Sequence, residues 1–297
     1  MDLLILCAGT AEKDWAGAKP DRPLRTKGKR QAQKIGAWLG REGLRPGIVL
    51  TACGRRARVT AEKALKAAGW TAKNIRPAEE LAAGVLPDLG TSRRALLVAS
   101  PGAVRALAGR LGLKVDAGPG VLIRLACGPD GTRLTGRVDP GRLPDLFPYP
   151  APDGGGRRER PAYYYTQSAV IPYRQTVDGP QILIIGSSSG RHWSVPKGIV
   201  EPGLGPAASA KVEAREEAGV EGKVGRTPLG RYTYAKWGAT CEVTVFAMQV
   251  TKVLEGEAWE ESHRKRRWVS PEAAAGLLQQ EALGELTAAL GDSLVSP

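Results

Sequence analysis

A proline- and glycine-rich stretch near the middle of the chain sets the strongest limit on how this sequence can fold. It runs from Asp139 to Pro161 and reads DPGRLPDLFPYPAPDGGGRRERP. Closely spaced prolines remove backbone donors and three consecutive glycines add freedom, a composition typical of a linker. The 297 residues are enough for two cores of ordinary size. We therefore predict two domains, residues 1–150 and 151–297, with the boundary near residue 155.

The two halves differ in their apolar patterns. In the first half, short apolar runs alternate with helical stretches: LLILCA, TKGKRQAQKIGAWLGREG, GIVLTAC, RVTAEKALKAAG, ALLVAS and GAVRALAGRLG. This alternation predicts an α/β domain with a mostly parallel sheet. In the second half we predict strands at YYYTQSAVIPYR, QILIIGSS, RYTYAKW and TCEVTVFAMQVTKV, a helix at 206–218, and one or two closing helices after Pro271. That half is predicted to be α+β with a mixed sheet.

Charge and cysteine usage narrow the class of protein. Residues 1–150 carry 26 Lys and Arg against 13 Asp and Glu, whereas the remainder carries 17 of each. The excess of Lys and Arg in residues 1–150 suggests an acidic partner. No aromatic residues lie between these basic residues as a stacking platform would require, so binding of nucleic acid is possible, but an arginine-rich surface without such a partner is favoured. The four scattered cysteines predict neither structural zinc nor disulfides. The first apolar run is too short to span a membrane and follows no basic region, so we expect a cytoplasmic protein without membrane contact.

Three glutamates on one short helix carry the chemistry. Residues 196–220 read PKGIVEPGLGPAASAKVEAREEAGV, which places Glu213, Glu216 and Glu217 three and four positions apart. Such carboxylates share a helical face and repel each other, and the C-terminal end of a helix disfavours anions. A bound divalent cation compensates both costs, and Mg²⁺ or Mn²⁺ prefers oxygen ligands. By itself the triplet is weak evidence, because charge clusters on helices are usually solvated.

The surrounding residues resemble the Nudix box, G-x5-E-x7-R-E-U-x-E-E-x-G-U, in which U is aliphatic. Gly198 matches its first position, and Glu213 through Val220 match its end in register. The sequence is also similar to the branch with diphosphoinositol polyphosphate and diadenosine polyphosphate hydrolases, through WSVPKG at 193–198 and EAWEESHRKRRWVSPEAA at 257–274. The resemblance covers most of residues 161–291. It implies an α/β/α sandwich with a mixed sheet.

The resemblance also implies site residues. Metal-ligand roles transfer to Glu213, Glu216, Glu217 and the Gly198 carbonyl, and Glu213 or Glu216 would be the base for the attacking water. The implied substrate phosphate-binding residues are Lys197, Arg264, Lys265 and Arg266. The Glu and Arg that the family pairs beneath the metal ligands are here Leu204 and Val212. Because replacing both partners of a buried pair by packed apolar groups is often neutral, we expect a packed contact between them that is compatible with activity.

Residues 1–110 resemble the small SixA-like branch of the histidine phosphatases, through LLILCAGTAEK, DRPLRTKGKRQAQKIGAWL and GRRARVTAEKAL. The resemblance implies a three-layer αβα domain. Cys7-Ala8-Gly9 stands where that family has Arg-His-Gly, and both histidines of the chain, His192 and His263, lie in the other half. We therefore expect this domain to be degenerate and catalytically inactive, with an anion pocket at Arg22 and Arg56. Cys7 is expected to be an apolar filler, because no Arg follows it as in cysteine phosphatases.

Three functions remain open. The first is metal-dependent hydrolysis of a phosphorylated small molecule, a nucleoside diphosphate linked to another group, by attack of water. The second is nucleotide sanitising as in MutT, or removal of pyrophosphate from the 5′ end of RNA. The third is a non-catalytic sensor that binds a nucleotide. Aromatic residues at 163–165, Tyr232, Tyr234 and Trp237 could stack a purine, but we expect them in the core or on the sheet surface.

Overall fold

A computed structural model of the chain describes residues 1–148, 156–187 and 190–295. The chain forms two compact units, Met1–Ala162 and Tyr163–Pro297. The predicted boundary falls among residues 149–155, which lie outside the described ranges, so its position stays a prediction. No helix in these ranges combines the length and apolarity that crossing a bilayer requires.

The first unit is built on a six-stranded sheet. Its elements, in chain order, are β1 (Asp2–Cys7), α1 (Thr26–Arg41), β2 (Ile48–Thr51), α2 (Arg55–Ala67), β3 (Ile75–Pro77), β4 (Arg94–Ala99), α3 (Pro101–Arg110), β5 (Leu122–Gly128) and β6 (Gly131–Val138), followed by the two-stranded ribbon β7 (Phe147–Pro148) and β8 (Arg157–Arg158). The sheet order is β3-β2-β4-β1-β5-β6. The first four strands are parallel, and β5 and β6 form an antiparallel hairpin at one edge.

Helices cover the two faces of this sheet. α1 packs against α2, and a Cβ at Gly36 would lie 1.9 Å from the carbonyl oxygen of Ala64, so only glycine allows this approach. α3 packs against β1 and a 3₁₀ helix at Glu79–Ala83. The connections from β1 to β2 and from β2 to β3, which contain α1 and α2, run in one direction across the sheet, whereas the connection from β3 to β4, which contains the 3₁₀ helix, runs in the other. Right-handed crossovers therefore place α1 and α2 on one face of the sheet and the 3₁₀ helix on the other. The predicted α/β class with a mostly parallel sheet is confirmed, whereas the β5–β6 hairpin was not predicted.

The second unit is built on an eight-stranded sheet. Its elements are β9 (Thr166–Thr176), β10 (Gly179–Gly186), β11 (Trp193–Ser194), β12 (Lys197–Ile199), α4 (Pro206–Ala218), β13 (Val220–Val224), β14 (Gly230–Lys236), β15 (Ala239–Val253), β16 (Arg266–Val269), α5 (Pro271–Leu277) and α6 (Glu281–Val295). The main order is β11-β10-β9-β15-β13, with β12 on β9, β14 on β15 and β16 on β10. Only β9 and β15 pair in parallel among these described strands.

Side chains that alternate along the strands contribute to two separate hydrophobic cores in this unit. In β10, Ile182 and Ile184 join the cluster with residues of α5 and α6, whereas Leu183 and Ile185 join the cluster with alanines of α4. Because successive side chains of a strand point to opposite faces, the sheet lies between α4 and the pair α5 and α6. The predicted α/β/α sandwich with a mixed sheet is therefore confirmed.

A change of partner along β9 brings β12 to the site. The residues of β9 from Tyr173 onward pair with β10, whereas those up to Ala169 pair with Lys197–Ile199. Pro172 lies between the two segments and has no N–H to donate, which suits a position where the pairing changes. This exchange places Lys197 and Gly198 opposite α4.

Candidate active site

A cavity of about 700 Å³ opens in the second unit beside β12, α4 and β14. Its walls include acidic, basic and aromatic side chains. They are Glu201, Glu213, Glu216 and Glu217; Lys197, Lys236 and Arg264; and Trp193, Tyr232, Tyr234 and Trp237. The cavity thus collects all three predicted glutamates, Gly198 and two of the four predicted phosphate-binding residues.

Local sequence fixes the helix that carries the glutamates. Pro206 occupies the first turn of α4, where its missing N–H costs nothing, and the helix ends at Gly219 in a left-handed conformation (φ 59°, ψ 40°). A Cβ at Gly219 would also lie 2.6 Å from Cγ of Trp259. The predicted helix bounds are confirmed.

Arg266 compensates the negative end of α4. Its Nη1 donates to the carbonyl oxygens of Ala218 at 3.2 Å, Gly219 at 3.4 Å and Leu254 at 2.8 Å, and its guanidinium lies 4.3 Å from the ring centre of Trp259. A cation at the C-terminus of a helix offsets the macrodipole, by about 0.3–1 kcal/mol at exposed sites. Arg266 and the exposed Lys265 do not line the cavity. The structure therefore gives Arg266 a helix-capping position, away from the place predicted for phosphate binding.

The three glutamates of α4 hold their protons more tightly than ordinary carboxyl groups. Burial, followed by repulsion from Glu217 and Glu216, raises the pKa of Glu213 to about 8. Burial likewise raises the pKa of Glu216 and that of Glu217. Burial is the leading cause at all three carboxyl groups, and repulsion from other carboxylates adds to it at Glu213 and Glu216.

Gly198 makes room for the Glu213 carboxylate. A Cβ at Gly198 would lie 1.9 Å from Oε1 and 2.4 Å from Oε2 of Glu213. Gly198 has no positive φ, so glycine is required here by the approach of the carboxylate rather than by the backbone conformation. Gly198 is the first residue of the motif, and Glu213 lies 15 positions further along the chain. Their close approach therefore brings the start of the motif next to its later part.

Glu217 is held by two donors. Its Oε2 accepts the main-chain N–H of Lys197 at 3.0 Å, and its Oε1 accepts Nη2 of Arg264 at 2.7 Å. Arg264 also pairs with Glu261. Within the described ranges, no group of three or more His, Cys, Asp or Glu side chains is placed so that it could hold a metal ion as it stands. The residue types nevertheless suit a hard divalent ion, because Glu213 and Glu216 supply carboxyl oxygens to one cavity whose lining also includes Gly198.

A chain of hydrogen bonds that the sequence did not predict orients Lys197. Its Nζ donates to Oη of Tyr234 at 3.2 Å, and Tyr234 donates in turn to Oε1 of Gln167 at 2.8 Å. Burial lowers the pKa of Lys197. The sequence contains one signal for this wall of the cavity. Tyr232, Tyr234 and Lys236 are spaced two positions apart, which places all three side chains on one face of β14. As expected, Tyr232 belongs to a hydrophobic core cluster and Tyr234 packs against it. Both residues, together with Trp237, also line the cavity.

Leu204 and Val212 do not replace a buried ion pair by a buried apolar contact. Both line the cavity, and Val212 is 43% exposed. Neither residue belongs to the described hydrophobic clusters. The exposure of Val212 does not fit a buried pair, and a contact between the two side chains stays a prediction.

In the first unit, the predicted anion residues lie near the strand end of β1. Arg56 donates from Nε to the carbonyl of Gly9 at 3.0 Å and from Nη2 to that of Ala8 at 3.3 Å. Burial and the neighbouring Arg22 lower the pKa of Arg56. Nε of Arg22 is buried and has no hydrogen-bond partner among the described residues. Burial raises the pKa of the Cys7 thiol to about 12, which keeps it protonated and agrees with its expected role as a filler.

Comparison with known proteins identifies the family. The sequence model of the NUDIX domain matches residues 166–290. Diphosphoinositol polyphosphate phosphohydrolase 2 of Rattus norvegicus is 35% identical over 116 residues, covering 38% of this chain and 62% of the relative. Diphosphoinositol polyphosphate phosphohydrolase 3-beta of Bos taurus is 34% identical over 122 residues, covering 40% and 72%. The chain belongs to the Nudix family, as predicted, and spans 62% to 72% of the length of these two relatives.

Similar solved structures exist for each half. The C. elegans Ap4A hydrolase is 20% identical and covers 44% of this chain and 98% of its own, with a TM-score of 0.38. The protein histidine phosphatase SixA complexed with tungstate is 18% identical and covers 48% and 98%, with a TM-score of 0.41. At these values neither likeness bears on substrate or mechanism.

Proposed function

We propose that the second unit hydrolyses a phosphoanhydride bond of a nucleoside diphosphate linked to another group, with a dinucleoside polyphosphate or a related polyphosphate as substrate. One observation supports this proposal above the others. Three glutamates with raised pKa values, Glu213, Glu216 and Glu217, line one cavity, and Lys197 and Arg264 line the same cavity. Clustered carboxylates in a cleft beside cations are typical of phosphoryl chemistry rather than of a solvated helix face.

Mg²⁺ or Mn²⁺ is the proposed cofactor, with Glu213, Glu216, Glu217 and the Gly198 carbonyl as its ligands. Such an ion, when bound, neutralises phosphate charge and lowers the pKa of a water molecule. The raised pKa values of Glu213 and Glu216 support this assignment, because burial and repulsion from other carboxylates favour a bound proton or cation at these two groups. Glu213 and Glu216 are the proposed candidates for accepting the proton of the attacking water.

Lys197 and Arg264 are proposed to bind the non-bridging phosphate oxygens. Both line the cavity, and each contacts Glu217, so phosphate would enter beside the carboxylates. Lys197 is oriented by Tyr234, which limits the rotamer entropy lost on binding. Lys265 and Arg266 are left out of this role because they do not line the cavity.

Glutamine variants test this function. We expect Glu216→Gln and Glu217→Gln each to abolish Mg²⁺-dependent cleavage of diadenosine tetraphosphate while the fold, followed by circular dichroism, stays intact. Glu285→Gln, at an exposed position on α6, is the matched control and should keep full turnover. Full turnover in both active-site variants would contradict the assignment.

A substrate panel separates the remaining alternatives. Purified protein with Mg²⁺ is offered diadenosine polyphosphates, nucleoside triphosphates, diphosphoinositol polyphosphates and 5′-triphosphate RNA. Preferred cleavage of triphosphates would favour a sanitising enzyme, and cleavage of the RNA would favour a 5′ pyrophosphohydrolase. Binding of nucleotide without any cleavage would favour the sensor, for which the Arg264–Glu217 pair at 2.7 Å is the supporting observation.

For the first unit we propose anion binding without phosphoryl transfer. The buried, unpartnered Nε of Arg22 and its repulsion of Arg56 support a missing counter-anion. Titrating inorganic phosphate into full-length Glu216→Gln/Glu217→Gln protein should release heat that Arg22→Ala removes. Equal heat with and without Arg22 would contradict this proposal.

A further inference from the structure

Both oxygens of the Glu217 carboxylate accept hydrogen bonds from the protein itself. Oε2 accepts the main-chain N–H of Lys197 at 3.0 Å, and Oε1 accepts Nη2 of Arg264 at 2.7 Å. The side chains of Arg264 and Glu217 are only 11% and 15% exposed. A charge pair buried this deeply opens only when both charges find new partners, because a desolvated charge left alone is costly. Any further ligand of Glu217 must therefore compete with Arg264.

Three nitrogens of Arg264 contact three different acceptors. Nη2 binds Glu217, Nε binds Oε2 of Glu261, and Nη1 donates to the carbonyl oxygen of Gly186 at 3.3 Å. The main-chain N–H of Glu261 donates in turn to the carbonyl oxygen of Glu216 at 3.2 Å, which attaches this acceptor to α4. If Nη2 left Glu217, the other two contacts would keep the guanidinium at the cavity, which Arg264 lines.

The roles proposed above for Glu217 and Arg264 exclude each other in this arrangement. A divalent ion on Oε1 of Glu217 would form a bond of about 2.1 Å and would lie no more than about 5 Å from Nη2 of Arg264. Like charges repel strongly at this distance in a poorly solvated site. The N–H group that binds Glu217 is not available to a phosphate either. A phosphate oxygen that accepts from Nη2 resolves both conflicts, because it replaces the charged hydrogen bond and places negative charge between the two cations.

We propose that Arg264 couples metal binding to phosphate binding by exchanging partners. With a divalent ion on Glu217, Nη2 of Arg264 moves from Oε1 to a non-bridging oxygen of the substrate. Glu261 and the Gly186 carbonyl keep the rest of the guanidinium in place, and the Lys197 N–H keeps the carboxylate oriented. The exchange rests on the proposed function, because it requires Glu217 to be a metal ligand. It adds the regulation of that site, since metal and phosphate then bind together more readily than either does alone.

Calorimetric titration of the full-length chain with Mn²⁺ alone tests the competition at Glu217. Arg264→Gln removes the competing cation, so Mn²⁺ should bind this variant about 5- to 150-fold more tightly than the parent, the usual range of coupling between two binding events. Circular dichroism of the same preparation checks that the variant is folded.

Lys236→Gln is the matched control for a general effect of charge. Lys236 is exposed and also lines the cavity, but its Nζ lies 4.4 Å from the ring centre of Trp237. Its removal should change Mn²⁺ affinity by less than about twofold, because water and salt screen an exposed charge. Equal Mn²⁺ affinities of Arg264→Gln and the parent, or an equal gain in Lys236→Gln, would overturn the exchange.

Inorganic phosphate is the second probe. In the parent, saturating Mg²⁺ should tighten phosphate binding by about 5- to 150-fold, because Nη2 of Arg264 becomes available when Glu217 has its new ligand. The gain should be at least about fivefold smaller in Arg264→Gln. Phosphate binding by the parent that Mg²⁺ leaves unchanged would overturn the exchange without any variant, so the test does not depend on the stability of Arg264→Gln.

The outcomes separate the exchange from the proposed hydrolysis. Mn²⁺ binding that tightens in Arg264→Gln and not in Lys236→Gln, in a chain that cleaves no substrate, would uphold the exchange and contradict hydrolysis. Cleavage of diadenosine tetraphosphate by a parent whose Mn²⁺ affinity equals that of Arg264→Gln would uphold hydrolysis and overturn the exchange.

Discussion

Replacing Gly198 by alanine should move the Glu213 carboxylate without unfolding the protein. The new Cβ would lie 1.9 Å from Oε1 of Glu213, whereas real Cβ contacts are essentially never shorter than 3.0 Å. The carboxylate must therefore shift by at least about 1.1 Å, the difference between these two distances. The atoms that a Cβ would meet belong to the far end of one flexible side chain, so the backbone need not move.

The cost should therefore appear in turnover rather than in stability. A misplacement of about 1 Å in a reacting constellation can lower a rate by about 10²-fold. We expect Gly198→Ala to lose about this factor in kcat/KM for Mg²⁺-dependent cleavage of diadenosine tetraphosphate, while its unfolding free energy changes by less than about 1 kcal/mol. Initial rates and thermal melting measure the two quantities on the same preparation.

A second glycine in the same loop provides the control. Gly205 has φ −77°, and a Cβ there would meet no atom within 4 Å, so Gly205→Ala should keep full turnover. Full turnover of Gly198→Ala would refute the reasoning that the position of Glu213 controls the reaction. A large loss of stability in that variant would refute the claim that only one side chain must move.

Other predictions follow from the helix end, the ion pair and the titration of the site. In denaturant titrations, Arg266→Ala should lower the unfolding free energy by about 2–3 kcal/mol, because it removes charged hydrogen bonds to α4. The control Lys265→Ala, at an exposed position, should change the unfolding free energy by less than about 0.5 kcal/mol. Equal effects of the two substitutions would contradict the capping role of Arg266. Arg264→Ala should destabilise the metal-free protein by about 3 kcal/mol, because it removes the cation from the buried Glu217 carboxylate and leaves the Lys197 main-chain N–H as its donor. The loss should shrink in a Glu217→Gln background, and additive losses in this double-mutant cycle would argue against the pair. The folded pKa of Glu213, about 8, exceeds its ordinary value of 4.5, so the folded state binds the extra proton and the stability of the metal-free chain should fall as pH rises from 4.5 to about 8. Melting temperatures in chelator should show this slope in the parent and a weaker one in Glu213→Gln, and equal slopes would contradict the raised pKa.

The sequence predicted the elements whose signals are local. Pro206 and Gly219 mark the two ends of α4, and the structure has the helix at those bounds. The apolar runs of the first half predicted β1, β2 and β4, because strands buried on both faces are apolar throughout. Short strands such as β11, β12 and β13 were not predicted, because two to five residues carry no periodic signal.

Tertiary contacts decided the parts that the sequence did not predict. Arg266 belongs to a basic run whose pattern suits phosphate, but the nearby carbonyls of α4 and the ring of Trp259 determine its position. Val212 lies on the cavity side of α4, so the apolar exchange at the motif does not make a core contact.

Anomalous diffraction from a crystal soaked in Mn²⁺ tests the central claim most directly. We expect a strong manganese peak bounded by the carboxylates of Glu213, Glu216 and Glu217, next to Gly198. A saturating soak that leaves these carboxylates without manganese, with Arg264 still bound to Glu217, would contradict the account.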